Sequence, residues 1–166
     1  MRRYRSDVAL RRGFFDGLIV AAVMAVVVVL AVVVFPLGPD ESDSVWPLLA
    51  GYLLLAALFV VIGVRGGRRA GTPVGGFKAG LAAGFVIAFL AMLDYFVVNN
   101  LFFSIVSRQH DKLVSFQASG WTSMRDYVNF QLLTGAVFVI PIGTLVAGGL
   151  GLFGGALGVR ESPVRS

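Results

Sequence analysis

Four stretches of this chain are long and apolar enough to cross a bilayer, and no other feature constrains the fold as strongly. A helix spanning hydrocarbon needs roughly 20 mostly apolar residues. The stretches are 17–35, 46–64, 79–98 and 132–159, the third interrupted only by Asp94 and the fourth carrying Pro141. With their flanking turns the spans are predicted at about 13–35, 46–64, 77–98 and 131–157, joined by an extramembrane helical segment over 99–130. The last run is longer than a bilayer requires, so it tilts, kinks or runs into the interface. Composition closes the alternatives. Charged residues are 14% of the 166, against roughly 25% in soluble domains. Hydrophobic residues are 57% and mean hydropathy is +0.85. A soluble globule of this size cannot hide so much apolar surface, and a disordered chain is apolar-poor. The expected fold is all-α: a single integral membrane domain over 1–166, a four-transmembrane-helix bundle.

The cations orient it. Arg2, Arg3, Arg5, Arg11 and Arg12 precede the first span, and Arg65, Arg68, Arg69 and Lys78 lie between the second and third. Arg160 and Arg165 follow the fourth. The segment between the first two spans has no cation but carries Asp40, Glu41 and Asp43, and the long segment before the fourth has only Arg108, Lys112 and Arg125. Cytoplasmic loops collect Lys and Arg, so both termini are expected in the cytoplasm and 36–45 and 99–130 outside. Leu10-Arg11-Arg12-Gly13-Phe14-Phe15 loosely echoes a twin-arginine signal. The apolar run that follows exceeds a signal core and has no A-x-A site, so a retained first helix is expected.

In 99–116 no Pro or Gly interrupts a continuation of the third helix, and Ser119-Gly120 breaks it. Ser123-x-x-Asp126 is a weak capping box. Trp121, Met124 and Val128 then share a helical face, which reads as a short amphipathic helix on the outer surface with Trp121 and Tyr127 at headgroup level.

Membrane helices associate where small residues let backbones approach. The first span carries Gly13, Gly17, Ala21 and Ala25 at i, i+4; the third Gly76, Gly80 and Gly84; the fourth Ala147, Gly151 and Gly155. All three stripes fall in the predicted cytoplasmic half, which is expected to be pinched. The second span shows no comparable ladder. Gly63, Gly66, Gly67, Gly71, Gly75 and Gly76 sit among arginines without matching a P-loop and read as a flexible basic turn facing anionic lipid.

The opposite half holds a polar layer. Asp94 lies about four to six residues below the end of its span, on the order of 6–9 Å deep. Tyr52 and Thr134 are at similar depth, with Asn99, Asn100 and Gln131 just above. An ionised carboxylate in hydrocarbon costs ~2.5 kcal/mol or more, so Asp94 is expected to face inward, towards spans two and four, within reach of Tyr52, Thr134 or Gln131. Two roles stay open for it, a hydrogen-bonded joint between helices or a station on an ion path. Asp16 is expected to form an interfacial ion pair with Lys78. Pro141 frees the carbonyl of Val137 and marks a kink, with Thr144 placed to bond the backbone.

No G-x-S-x-G or H-E-x-x-H occurs, and with no Cys and a single His, His110, no disulfide, zinc or haem-ligating set exists in the chain. No cofactor or metal is expected, and no nucleic-acid partner.

Gly51-Tyr52, the run from Phe59 to Arg65, Gly75-Gly76-Phe77-Lys78-Ala79-Gly80, Tyr95 and Ile140-Pro141-Ile142-Gly143 together resemble a bacterial four-helix membrane family, the domain of unknown function four-one-nine-nine. The similarity covers roughly 46–157. The chain departs in lacking the family's acid before the last-span proline, where Val139 and Ile140 stand. The resemblance implies four helices, a long loop before the last, and a bacterial cytoplasmic membrane location, with no activity to carry over. Two functions compete: a non-catalytic subunit or scaffold packing against other membrane subunits or itself in the lipid bilayer, and a small oligomeric transporter or channel using Asp94.

Overall fold

The structure, a computed structural model, describes residues 2–30 and 45–160. The end of the first predicted span and nearly all of the acidic 36–45 segment lie outside the described residues. Six helices are described: α1 (Arg2–Val29), α2 (Val45–Ala70), α3 (Pro73–Leu101), α4 (Phe103–Val106), α5 (His110–Ser119) and α6 (Met124–Arg160). Helices α1, α2, α3 and α6 are each long and apolar enough to cross a membrane, and the protein is an all-helical, multi-pass membrane bundle. Large apolar side chains such as Ile19, Leu53, Val137 and Leu145 stand exposed around it, as hydrocarbon contact requires. Helix α3 is the axis, packing against α1, α2 and α6; α2 also packs on α6, while α1 has only a minor contact with α2.

The spans pair through backbone contact, because lipid removes the hydrophobic drive for helix association. Any Cβ on Gly13 would strike the backbone of Ala79, and one on Gly17 would stand 2.9 Å from the Ala83 Cα, so α1 runs parallel to α3 in that register. A Cβ on Gly80 would meet the Ala147 carbonyl and come within 3.0 Å of the Gly151 Cα; on Gly84 it would meet the Ala147 side chain. Gly76 abuts Gly151 and Gly155. This places α6 antiparallel to α3. The buried core beside these contacts is correspondingly small-residue rich: Ala21, Ala79, Ala83 and Ala147, closed by Phe59, Ile62 and Ile87.

Helix α2 corrects the sequence reading. It continues through Ala70, past the predicted end at residue 64, and does carry a small-residue ladder. Gly63 lies against the backbone of Gly151, Gly67 against Gly155, and Gly66 against Gly75 and Ala79. Gly154 and Gly158 of α6 return the contact onto Val60 and Val64. The expected flexible glycine loop is therefore helix–helix interface, and the turn is only Gly71 and Thr72. Gly71 takes a left-handed φ of 67°, and Pro73 starts α3 at a position where its missing N–H costs nothing.

The far end differs from expectation in two ways. Helix α3 does not continue to 116: it ends at Leu101, Phe102 bends the chain, and α4 and α5 follow as short separate pieces. Gly120, with φ 73°, closes α5. The amphipathic stretch from Met124 is not a separate surface helix but the first turns of α6, whose 37 residues amount to about 55 Å, well beyond a ~30 Å hydrocarbon core. The Asp126 N–H donates to Ser123 Oγ at 3.3 Å at its start. Val106, Tyr127 and Val128 are buried together under Phe116 and Met124, which fastens α4 and α5 to this extension. Trp121 packs on Tyr127 and Phe130, and Arg125 lies 4.7 Å over the Phe103 ring. Helix α6 passes through Pro141 without interruption. Thr144 Oγ1 donates to the carbonyl of Ile140 at 2.7 Å rather than to that of Val137.

Candidate functional site

Away from the glycine contacts the helices separate. A Cβ on Gly51 or Gly135 would meet nothing within 4 Å, and Tyr52 is 62% exposed. The predicted polar layer falls in this separated half, and it is not one cluster.

Asp94 faces α1, not α2 and α6 as expected. It lines a cleft of about 380 Å³ with Leu18, Ala21, Ala22 and Ala25 of α1 and Leu90 and Val97 of its own helix. Helical phase explains the correction. Asp94 is eleven residues past Ala83, which at ~100° per residue returns it to the face that Ala83 presents to Gly17. It is ten past Gly84, which turns it about 80° from the α6-facing side. The Oδ2 atom is buried and has no hydrogen-bond partner among the described residues. Tyr52 and Thr134 point outward and neither bonds to it. A buried unsatisfied polar group costs ~1–3 kcal/mol.

The amides are used elsewhere. Asn100 and Asn129 exchange side-chain bonds at 2.9 and 3.3 Å, tying α3 to α6, and Asn100 also donates to the Phe96 carbonyl. Asn129 belongs to no motif in the sequence, and its pairing with Asn100 follows from the α3–α6 antiparallel register. Gln131 Nε2 donates to the Tyr127 hydroxyl at 2.6 Å.

Asn99 and Gln131 meet across a second cleft, of about 500 Å³, between α3 and α6. Gln109 and Lys112 line its polar mouth with them; neither was predicted from sequence. Its deeper wall is Met92, Leu132, Gly135 and Val139.

At the opposite end Asp16 does not pair with Lys78. It shares a small pocket with Arg12, Arg65 and Arg69, while Lys78 lines no part of it. Ala79 is the residue that faces α1, and Lys78 one position earlier is turned about 100° away. Among the described residues no group of three or more His, Cys, Asp and Glu side chains is placed to hold a metal ion.

In comparisons with known proteins, no family model matches the chain, and no curated protein or solved structure matches it.

Proposed function

We propose that the protein is a non-catalytic subunit of a membrane complex, and that its α1–α3 face receives a transmembrane helix from a partner. The observation that carries this reading is Asp94, a carboxyl within a span whose buried oxygen has no hydrogen-bond partner among the described residues. Intramembrane acids pair with other groups or face water, and a partner helix bearing a hydrogen-bond donor or a cation opposite Asp94 supplies that pairing. The cleft suits a helix: Ala21, Ala22 and Ala25 keep the α1 wall low, so a second backbone can approach. The cation distribution supports both termini in the cytoplasm, and the resemblance to the bacterial four-helix family supports a bacterial cytoplasmic membrane.

The test is purification from native membranes in mild detergent. A stoichiometric membrane partner is expected with the wild type, retained in part by Asp94→Asn and lost in Asp94→Leu, with the bundle itself intact in all three. Recovery of the partner at full stoichiometry with Asp94→Leu would overturn the reading.

A second reading, a small oligomeric transporter or channel, starts from the same carboxyl. Helix α3 fills the middle of the single bundle, so this reading needs several copies arranged around the α1–α3 face. Asp94→Asn would then assemble normally and abolish pH-dependent flux in vesicles.

A further inference from the structure

On the other side of α3 from Asp94, we propose that the α3–α6 cleft is a binding site for one anionic phospholipid. The polar mouth and the apolar wall together define the ligand class. Lys112 and Gln109 come from the first turn of α5 and its preceding residue, Asn99 from the end of α3, and Gln131 from α6. No carboxylate among the described residues pairs with Lys112, and the α5 N-terminus lacks a side-chain capping bond from Gln109. Lys112 is the cation of the mouth among the described residues, and the amides beside it are able to donate to phosphate oxygens. No acid among the described residues lines the cleft.

Below that ring the chemistry changes. From Gln131 down α6 the cleft is walled by Leu132, Gly135 and Val139, and Val139 lies about 12 Å further along the helix axis. Gly135 leaves the channel open, since a Cβ there would meet nothing within 4 Å. A free phosphate would use the mouth and leave this wall unoccupied. A neutral apolar molecule would leave the cation unused. A phospholipid uses both, with its phosphate at Lys112 and an acyl chain along Gly135 and Val139. The mouth lies where α3 ends and α6 extends beyond the hydrocarbon, the level of a lipid headgroup.

The experiment is native mass spectrometry and thermal melting of the full chain in detergent, with phosphatidylglycerol, phosphatidylcholine or inorganic phosphate added. The wild type is expected to retain one phosphatidylglycerol per chain and to melt higher with it than with phosphatidylcholine. Lys112→Gln should cut the preference for phosphatidylglycerol roughly tenfold, as loss of a charged hydrogen bond does. Gly135→Leu, which fills the cleft, should abolish retention; Gly149→Leu, at an equally open glycine outside the cleft, should leave it unchanged. Val139→Phe repeats the filling test should Gly135→Leu fail to fold. Retention unchanged in the filled variants, or an unaltered preference in Lys112→Gln, overturns the proposal. So does inorganic phosphate raising the melting temperature as much as phosphatidylglycerol, which would make the site one for a free anion.

Discussion

The two ends of the bundle are built from the same residue types and behave oppositely. At the basic end, Gly63, Gly67, Gly76, Gly80, Gly151 and Gly154 leave no room for even a methyl group, and α2, α3 and α6 meet backbone to backbone. At the loop end, Gly51 and Gly135 face open space, and the helices are joined by a few side-chain ties, chiefly the Asn100–Asn129 exchange and the cluster under Phe116. Glycine in a membrane helix is thus no sign of close packing by itself. What separates the two ends is whether glycines on neighbouring helices fall in one register. Where they do, the bundle closes; where they do not, clefts remain on either side of α3, and the polar groups Asp94, Asn99 and Lys112 are found in those clefts.

The strongest challenge to this contrast is a large side chain in the closed end. Gly80→Leu or Gly154→Leu must push helices apart against backbone atoms, and overpacking of this kind costs ~1–3 kcal/mol or more. Loss of the folded monomer in detergent is expected, and full thermal stability would show that those glycines do not meet another helix. A single methyl sharpens the point: Gly154→Ala should destabilise by about 1–3 kcal/mol, whereas its usual effect in a helix is favourable. The amide tie at the loop end carries less. Asn100→Leu should cost about 0.6–1.7 kcal/mol, the range of interhelical hydrogen bonds in a membrane, read as a modest fall in melting temperature with the fold retained. Smallest of all, Gly51→Ala should be neutral or stabilising by up to ~1 kcal/mol, because nothing stands in the way of the new methyl and helix propensity improves. A marked loss at Gly51 would mean that the loop end is as closed as the basic end.

Much of this was legible in the residues. The four apolar runs set the number of spans, because hydrocarbon thickness admits few other solutions. The stripes at Gly13–Gly17, Gly76–Gly80–Gly84 and Ala147–Gly151–Gly155 all lie where helices approach. The ladder in α2 is hidden in the sequence because Arg65, Arg68 and Arg69 alternate with Gly63, Gly66 and Gly67, and such charges resemble the end of a span. The break at Phe102 carries no Gly or Pro; tertiary packing of Val106 on Tyr127 and Val128 decides it. Asp94 is expected to face spans two and four, and the structure sets it against α1 instead. Depth along a span tells which layer a residue joins, and only helical phase, counted from Ala83, tells which helix it faces. Lys112 and Gln109 gave no signal at all, since they reach the α3–α6 cleft only after the turn at Phe102 folds α5 back.

The claim that the open face beside Asp94 is a docking surface is tested most directly by photo-crosslinking in native membranes. A photoreactive residue at Ala22, inside the α1–α3 cleft, is compared with one at Leu145, on an exposed face of α6. The account predicts one discrete protein adduct from Ala22, absent from Leu145 and lost when Asp94→Leu is introduced. Lipid adducts alone at Ala22, or a protein adduct indifferent to Asp94, would contradict it.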